Sequence, residues 1–399
     1  MLRFKNDDGS EFPEWEEKKI GELGTFIKGA ALSKADISES GSPLILYGEL
    51  YTTYKEVAYN IQRKTQAIVD KKYYSCVGDV IIPTSGESAE EISTATCVMV
   101  PDVILGGDLN IFRSNIVDGR IMSYILNHQV KEKIATIAQG KSIVHIQAKQ
   151  LANICVKYPL SKVEQRKIAE FLSTIDTVIG KQRATVSAWE KRKKGVMQKL
   201  FSQEVRFKAD DGSDFPDWEE KPFGDVVSEF KVKTNVEDED TLLSCAINGV
   251  FLNSELFGHQ RGQSNIGYLK IKKGTLILSA QNLHLGNANV NLRFDHGIIS
   301  PAYKTYDVIG CTEEYMSQWV KWDMTKQFFY NATTVGASEC RRNVDWNLLY
   351  SQLFAVPCLA EQQKIADCLS SLDDVIEKQK ATLAAWEELK KGLLQQMFV

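Results

Sequence analysis

Apolar residues recur with a seven-residue period in two long stretches of the chain, residues 161–201 and 361–398. This spacing places them along one stripe of an α-helix, the pattern typical of a coiled coil. Neither stretch contains a proline, so each is predicted to form one long helix, a rod of ~57 Å at ~1.5 Å per residue. The seam residues that this register assigns are Ile168, Leu172, Ile175, Ile179, Gln182, Val186, Trp189, Ile365, Leu369, Leu372, Ile376, Gln379, Leu383 and Trp386.

The two helices are expected to pack against each other as an antiparallel coiled coil. Their registers match, and the polar residues Gln182 and Gln379 occupy the same a position. A polar residue at a single a position is a known device for fixing register. Two equivalent helices related by a pseudo-twofold axis within one chain run in opposite directions. Two separate amphipathic surface helices are the alternative.

A second segment, which we call the arm, is also repeated. Residues 2–23 return at 205–226 with the shared pattern Phe-Lys-x-Asp-Asp-Gly-Ser-x-Phe-Pro-x-Trp-Glu-Glu. Between the arms and the long helices lie two inserts, roughly 24–158 and 227–356, which share no comparable sequence. A constant frame that carries two divergent inserts predicts one architectural unit used twice.

The repeat sets the predicted domain boundaries. Trp15 and Trp218 end the arm pattern and are expected to anchor each arm on the frame by packing. The predicted domains are a first variable domain at 1–158, a first helical spacer at 159–204, a second variable domain at 205–356 and a second helical spacer at 357–399.

Each insert is predicted to be a small mixed α/β domain. β-Branched runs bounded by glycine or proline indicate strands, and the order of elements matches in the two inserts although the sequences differ. The predicted strands lie at 43–48, 77–86, 95–100 and 154–156, and at 242–247, 274–280, 289–294, 302–309 and 354–356; the predicted helices lie at 121–138 and 314–333. The predicted fold class is therefore α+β, with two mixed α/β domains joined by two long antiparallel coiled-coil helices.

The composition is that of an ordinary globular protein, with 43% hydrophobic and 25% charged residues. The N-terminus has no apolar signal segment, and no apolar run reaches the ~18–20 residues that cross a bilayer. The eight cysteines include no Cys-x-x-Cys pair, which favours buried, reduced thiols. We therefore expect a cytoplasmic chain without membrane contact. The net charge of −4 argues against nonspecific coating of nucleic acid, although residues 161–201 are locally basic.

The motifs of an autonomous enzyme are missing. No two prolines are adjacent, which excludes the Asn/Asp-Pro-Pro-Tyr/Phe motif of amino-methyltransferases. Gly-Lys-Ser at 140–142 lacks the earlier glycine of a P-loop, because Ala135 stands there. The five histidines form no metal-ligand spacing and no nucleophile triad. We expect no catalytic residue, no metal site and no cofactor in this chain.

Loops of the inserts instead carry residue types suited to DNA. Asparagine and glutamine bond adenine bidentately, while lysine, arginine, serine and the amides of glycine loops contact phosphates. Taken singly these are ordinary polar loops, but equivalent loops recur in both inserts. The candidate DNA-binding residues are Tyr47, Thr84, Ser85, Gln139, Lys141, Ser142, Gln281, Asn282, His284, Tyr303, Ser338, Arg341 and Arg342.

The chain resembles the specificity subunits of type I restriction-modification systems. The most specific segment is QGKSIVHIQAKQLANICVKYPLSKVEQRKIAEFLSTID at 139–176, whose frame returns at 335–373. Gly-x-Ser, a proline before the helix, Glu-Gln-x-x-Ile-Ala and a closing Leu-x-x-Ile/Leu-Asp all match that family. YGELYTTY at 47–54 and ISPAY at 299–303 are similar to segments of its target-recognition domains. One departure is Val335, which stands where the first copy has Gln139.

The resemblance implies a non-catalytic subunit that recognises a bipartite site in double-stranded DNA. One target-recognition domain would read each half, and the two helices would act as a ruler between half-sites about one helical turn, ~34 Å, apart. The implied partners are two methyltransferase subunits and two restriction subunits. S-adenosylmethionine, ATP and Mg are implied for those partners, which would methylate adenine or cleave DNA.

Two other functions remain possible from the residues alone. A coiled-coil scaffold whose inserts bind proteins would show the same frame without DNA contact. An autonomous enzyme is disfavoured by the missing motifs.

Overall fold

The chain forms two compact units, the first made of residues 1–183 and 382–399 and the second of residues 184–381. Each unit therefore contains one arm, one insert and part of both long helices. In this computed structural model the described residues are 2–140, 143–257, 264–338 and 341–398.

The elements of the insert in the first unit are short, and a long helix follows them. In chain order they are β1 (Glu16–Lys19), α1 (Ile20–Leu23), β2 (Thr25–Lys28), β3 (Ser42–Ile45), α2 (Glu49–Thr52), β4 (Val57–Ala58), β5 (Arg63–Thr65), β6 (Asp79–Pro83), β7 (Ser85–Gly86), α3 (Ala89–Ile92), β8 (Thr96–Val98), β9 (Ile104–Leu105), β10 (Leu109–Arg113), α4 (Gly119–Tyr124), α5 (Lys131–Ile137), β11 (Val144–His145), α6 (Ala148–Ala152), β12 (Cys155–Tyr158) and the long α7 (Lys162–Phe201).

The second unit follows a similar order, though not an identical one. Its elements are β13 (Glu219–Pro222), α8 (Phe223–Val226), β14 (Val227–Phe230), β15 (Leu243–Ala246), β16 (Gly249–Leu252), α9 (Asn253–Leu256), β17 (Leu269–Lys272), β18 (Leu276–Ser279), β19 (Ala288–Val290), β20 (His296–Ile299), β21 (Tyr303–Val308), α10 (Glu313–Trp319), α11 (Asp323–Asn331), β22 (Thr333–Ser338), β23 (Arg341–Val344), α12 (Trp346–Ser351), β24 (Leu353–Val356) and the long α13 (Leu359–Met397).

A five-stranded sheet with the order β2-β10-β6-β8-β4 forms the centre of the first unit. Its neighbours are antiparallel except for β4 and β8, which run parallel. Successive side chains of a strand point to opposite faces, and β6 supplies both cores: Val80 and Ile82 lie in one cluster and Ile81 in the other. All five residues of β6 are buried, which explains the uninterrupted apolar run that follows Asp79.

The central sheet of the second unit has the order β14-β21-β18-β19, which corresponds to β2-β10-β6-β8. In β18, Leu276 and Leu278 lie in one core cluster and Ile277 in the other, the same alternation as in β6. Each insert therefore has its own central sheet, and the two sheets have corresponding strand orders, as the matching order of predicted elements indicates.

Both predicted insert helices are interrupted. The first consists of α4, a π-helical turn over residues 125–129 and α5. In the turn, Asn127 bonds both backbone groups of Ala95, at 3.0 and 2.7 Å, and an inserted turn of this kind accommodates such a contact. The second is divided into α10 and α11 by a turn, in which the carbonyl of Trp319 accepts from the amide of Trp322 at 3.0 Å and from the hydroxyl of Thr325 at 2.6 Å.

Two other predictions about the second insert are wrong. The strand predicted at 289–294 ends with β19, since the Asn291 side chain bonds the backbone of Lys272 and Phe294 and turns the chain. The segment predicted as a loop after the second insert helix forms part of the antiparallel hairpin β22–β23.

The long helices pack against each other within each unit. In the first unit, Leu172 of α7 shares a core with Leu394 and Met397 of α13. In the second, Phe201 of α7 shares a core with Ile365 of α13. Every assigned seam residue is buried or half-buried. Gln182 and Gln379 belong to different units, and their pairing stays a prediction.

Ion pairs give the direction of the two helices. Asp176 pairs with Lys390 at 2.7 Å, and Arg183 pairs with Glu387. From the first of these pairs to the second, the residue number rises in α7 and falls in α13, so the helices are antiparallel in this unit. The pairs Glu190–Lys380 at 3.1 Å and Lys193–Asp373 at 2.6 Å give the same direction in the second unit.

Each arm is held to the first turn of a long helix by a buried glutamate. Glu164, whose side chain is fully buried, accepts from the guanidinium of Arg3 at 3.1 Å and from the indole of Trp15 at 3.2 Å. The second copy repeats the contact, because Glu361 accepts from Arg206 at 2.8 Å and from Trp218 at 3.0 Å. The arm tryptophans are therefore anchors, as predicted, and a buried carboxylate is what they bind.

The glutamine that follows each of these two glutamates also forms the same hydrogen bonds in both copies. Gln165 accepts from the amide of Asp118 at 2.8 Å and donates to the carbonyl of Pro159 at 2.7 Å. Gln362 makes the same two bonds with Thr312 and Pro357. Through this glutamine, the first turn of each long helix binds both the start of the insert helix and the segment that directly precedes the long helix. Within the described ranges, no helix combines the length and apolar character that a bilayer crossing needs.

Candidate nucleic-acid interface

A cleft of about 880 Å³ opens in the first unit where β6 ends and β10 begins. Four segments far apart in sequence line it: 28–33, 84–85, 107–110 and 145–149. We call it the first cleft. Thr84 joins two of these segments, since its amide donates to the carbonyl of Asp108 at 2.7 Å and its carbonyl accepts from the amide of Ile146 at 3.0 Å.

Glycines allow the segments around the cleft to approach closely. A Cβ on Gly29 would lie 2.1 Å from the carbonyl oxygen of Gly106, and one on Gly107 would lie 2.5 Å from that of Leu32. Both distances are far inside van der Waals contact, so only glycine fits at either position. The next residue, Asp108, has a φ of 57°, the left-handed region that aspartate tolerates better than most residues.

A second cleft of about 530 Å³ adjoins the first and shares segment 32–33 and Gly107–Asp108 with it. Tyr47, Lys34 and Arg63 also line it. Arg63 pairs with the buried carboxylate of Glu49 at 3.0 Å. Burial raises the pKa of Glu49 above its ordinary value, against the opposing effects of the Leu46 amide and Arg63.

Three candidate residues of the first unit lie together at these clefts. Thr84 and Ser85 line the first cleft and Tyr47 lines the second. The Ser85 hydroxyl lies 3.2 Å from Nδ1 of His145, and Gln139 is exposed and forms a backbone bridge with His145. Lys141 and Ser142 lie outside the described residues.

Three lysines at the clefts were not predicted from the sequence. Lys28 and Lys149 line the first cleft and Lys34 lines the second. All three are exposed, and none forms an ion pair with any residue that the structure describes. Lys28 and its neighbour Gly29 follow a short β-branched run, which is a signal that could have identified it.

The corresponding place in the second unit is identified by one backbone hydrogen bond. The amide of Ala280 donates to the carbonyl of Ala302 at 3.2 Å, as Thr84 does to Asp108 in the first unit. Strand register agrees, because Pro83 pairs with Leu109 as Ser279 pairs with Tyr303. Here too the loop leaves the end of a central strand.

Gln281, Asn282 and His284 follow at this sheet end. The first two side chains are exposed, and His284 is half-buried. Nδ1 of His284 is buried without a hydrogen-bond partner among the described residues. Burial, with a smaller effect of the positive charge of Arg342, lowers the pKa of His284.

The remaining candidates of the second unit are engaged within it. The hydroxyl of Tyr303 donates to the carbonyl of Cys245 at 2.9 Å, and burial raises the pKa of Tyr303 to about 12. Arg342 donates from Nε to the hydroxyl of Thr333 at 2.7 Å and stacks on Tyr330. Ser338 and Arg341 face each other across the β22–β23 hairpin, and the positions of their side chains lie outside the described part of the structure.

Together these features form a polar surface at one end of each sheet. It carries lysines in the first unit and amides in the second, residue types that contact phosphates and base edges. Among the residues that the structure describes, no three or more His, Cys, Asp or Glu side chains form a group that could hold a metal ion.

Comparison with known proteins points in one direction. Residues 13–186 match the family model of the type I restriction modification DNA specificity domain. The "Type I restriction enzyme MjaVIII specificity subunit" of Methanocaldococcus jannaschii is 24% identical over 98% of this chain and 94% of that protein. The "Putative type I restriction enzyme MjaX specificity subunit" of the same organism is 22% identical over the same shares.

Two solved structures share the fold. The type I restriction-modification S subunit from M. genitalium gives a TM-score of 0.59 at 15% identity, over 100% of this chain and 98% of that chain. A chain from a structure described as the structural basis of complex assembly and conformational transition of the type I R-M system gives 0.53 at 12% identity, over 97% and 98%.

Proposed function

Because this chain belongs to the specificity subunits of type I restriction-modification systems, we propose that each of its units recognises one half of a bipartite DNA sequence. The observation that carries the proposal is the shared backbone frame at the two sheet ends. The amide-to-carbonyl bond from Thr84 to Asp108 and the one from Ala280 to Ala302 occupy the same place, yet the side chains around them differ. Equal scaffolds with unequal side chains are what two different half-sites require.

The chemistry of the two sheet ends supports DNA as the ligand. In the first unit, Lys28, Lys34 and Lys149 are suited to phosphates, which position a protein on the duplex. In the second, Gln281 and Asn282 carry the amide groups that bond adenine bidentately in the major groove. Thr84 and Ser85 in the first unit can bond either bases or phosphates.

Catalysis is assigned to partner subunits in this proposal. Two methyltransferase subunits would use S-adenosylmethionine to methylate adenine, and two restriction subunits would use ATP and Mg to cleave DNA. This chain would determine the DNA sequence on which the complex acts. Its arms and long helices would form the frame on which the methyltransferase subunits assemble. The name of each curated relative, a specificity subunit of a type I restriction enzyme, supports this division.

Exchange of one insert tests the modular part of the proposal. Replacing residues 24–158 with the corresponding insert of a relative should change one half of the methylated sequence and leave the other half unchanged. Replacing residues 227–356 is the matched control and should change only the other half. Genome-wide methylation mapping reads both outcomes, and a change in both halves, or in neither, contradicts the modular assignment.

Salt dependence distinguishes DNA recognition from a protein-binding scaffold. The complete chain with its methyltransferase partner should bind duplex DNA with an affinity that falls steeply as salt rises, because phosphate contacts release counterions. A complex that retains no DNA at low salt would support the scaffold instead.

A further inference from the structure

We propose that Asp108 determines base specificity in the first unit by accepting a hydrogen bond from the exocyclic amino group of a cytosine. The inference rests on the proposed function and adds to it a residue and the kind of base that it contacts. Asp108 is exposed and borders both clefts of the first unit.

The backbone holds Asp108 in a fixed direction. Its carbonyl accepts from Thr84 at 2.7 Å, and it lies between Gly107, which is packed against Leu32, and the buried Leu109. Its φ of 57° is uncommon for a residue with a side chain. A rigid scaffold that presents a side chain at a cleft is the arrangement that precise recognition needs.

The charges around the clefts exclude a phosphate as the ligand of Asp108. The carboxylate forms no ion pair with a residue that the structure describes, and Thr84 Oγ1, at 3.5 Å, lies at the limit of a hydrogen bond. The cleft lysines Lys28, Lys34 and Lys149 are suited to bind phosphates, whereas the negatively charged carboxylate of Asp108 repels them. Because this carboxylate is a hydrogen-bond acceptor among basic residues, the group that it binds on the ligand must be a hydrogen-bond donor.

Base chemistry selects cytosine among the possible donors. Guanine presents only acceptors, N7 and O6, on its major-groove edge, and thymine presents O4 and a methyl group. Adenine offers its N6 amino group beside the N7 acceptor, which repels a carboxylate. Cytosine offers the N4 amino group with no acceptor next to it, and aspartate is a known acceptor for that group.

The second unit provides an internal comparison. Ala302 occupies the place of Asp108 there, as the equivalent backbone bond from Ala280 shows. The requirement for an amino group should therefore belong to the half-site of the first unit and be absent at the matching position of the second half-site.

The experiment combines a base analogue with variants of the complete chain in its complex with the methyltransferase partner. The recognised sequence is first determined by selection from a duplex library. Each cytosine of the first half-site is then replaced by 2-pyrimidinone, which lacks the amino group, and DNA affinity is measured by fluorescence anisotropy. At one position the analogue should weaken binding by the native chain about 10- to 100-fold.

Two variants assign that loss to Asp108. In Asp108→Ala the analogue should cost nothing further and the preference for cytosine at that position should vanish. Asp108→Asn keeps the left-handed backbone accessible and should admit adenine, because asparagine bonds adenine bidentately. Asp102→Ala is the matched control: Asp102 is also exposed, has a φ of 58° and lies in the first unit outside both clefts. It should keep the native base profile.

The outcomes separate the two levels of the proposal. An unchanged cytosine preference in Asp108→Asn, or an analogue that costs nothing at every position, overturns the assignment to Asp108 while sequence-selective binding remains. If Asp108→Ala binds no DNA, the base profile of Asp108→Asn decides. Absence of any sequence preference in the native complex contradicts the proposed function itself.

Discussion

In each copy of the repeated frame, one buried carboxylate holds the arm to the long helix, and the arm tryptophan is only one of its partners. Glu164 is inaccessible to solvent and is bound by a guanidinium and an indole from the arm. A buried charge is tolerated only when its partners compensate for lost hydration. Removing the carboxylate leaves the charge of Arg3 and the donor of Trp15 partly unpaired, so the arm depends on this one residue.

We predict that Glu164→Ala lowers the free energy of unfolding of the first unit by about 3–5 kcal/mol, the cost of breaking a buried pair. Glu170→Ala, six residues further along the same helix and exposed, is the matched control and should change this free energy by less than about 0.5 kcal/mol. Denaturant unfolding followed by tryptophan fluorescence measures both. Equal effects of the two variants would show that the arm is held by packing alone.

Glu56 makes the stability of the first unit depend on pH. Burial tends to raise its pKa, but the hydrogen bond from His128 and the charge of Lys390 outweigh burial and lower it below the ordinary value. A carboxyl group whose pKa is lowered in the folded state stabilises the protein above its unfolded pKa of about 4.3 and loses that contribution as pH falls.

The native chain should therefore lose more unfolding free energy between pH 6 and pH 3 than Glu56→Gln does. The amide cannot titrate, so the difference between the two chains isolates this group. Urea unfolding at a series of pH values gives the comparison. Parallel pH profiles for the two chains would be inconsistent with a lowered pKa at Glu56.

At the scale of helices, the lysines at d positions of the long helices form ion pairs within the seam. Lys390 of α13 binds Asp176 of α7 at 2.7 Å and Glu56 of the insert at 2.9 Å. Lys193 of α7 binds Asp373 of α13 at 2.6 Å. The heptad spacing places both lysines on the seam, since Lys193 follows Val186 and Lys390 follows Leu383 by seven residues. It does not show that the pairs are unequal: among the described residues, Lys390 has two carboxylate partners and Lys193 has one.

This asymmetry predicts unequal costs of removing the two lysines. Lys390→Ala should destabilise the first unit by about 3–5 kcal/mol, because it leaves two carboxylates in a mostly buried site without their lysine partner. Lys193→Ala should cost only about 1 kcal/mol, since the Asp373 side chain is 43% exposed and such pairs contribute little. Lys391→Ala, at an exposed position, serves as the control. Thermal and denaturant unfolding rank the three variants, and a larger loss for Lys193→Ala would contradict the argument.

At the scale of the whole chain, the long helices are continuous across the boundary between the units. Residues 162–183 of α7 belong to the first unit and residues 184–201 to the second, and α13 is divided in the same way. An α-helix rises about 1.5 Å per residue. The proposed spacing of the DNA half-sites should therefore depend on helix length.

Inserting four residues into α7 between Arg183 and Ala184 should change the spacer between the two half-sites or abolish methylation. The base preference within each half should remain, since neither cleft nor loop is altered. Methylation mapping of the variant distinguishes these results, and a changed base preference would contradict the separation of spacing from recognition. Substituting the two flanking residues without an insertion provides the control.

The frame could be predicted from the sequence because its signals are local or repeated. The seven-residue period fixed the long helices and their seam residues, and the repeat of the arm and helix fixed two units with one fold. Trp15 and Trp218 were identified because both copies keep them. The strands that were predicted in the inserts begin within a few residues of observed strands, since β-branched runs between turns depend on neighbours in sequence. Several others, among them β2, β10 and β14 of the central sheets, were not predicted.

The clefts depended on tertiary structure, because residues far apart in sequence form them. Lys28, Thr84, Asp108 and Lys149 meet only after four segments come together, and no period in the sequence relates them. For the same reason the sequence showed neither the partners of Glu164 nor the addition of Glu56 to the pair of Lys390 and Asp176. Periodicity by itself determined which elements this chain builds, whereas packing between distant segments decided which side chains share a site.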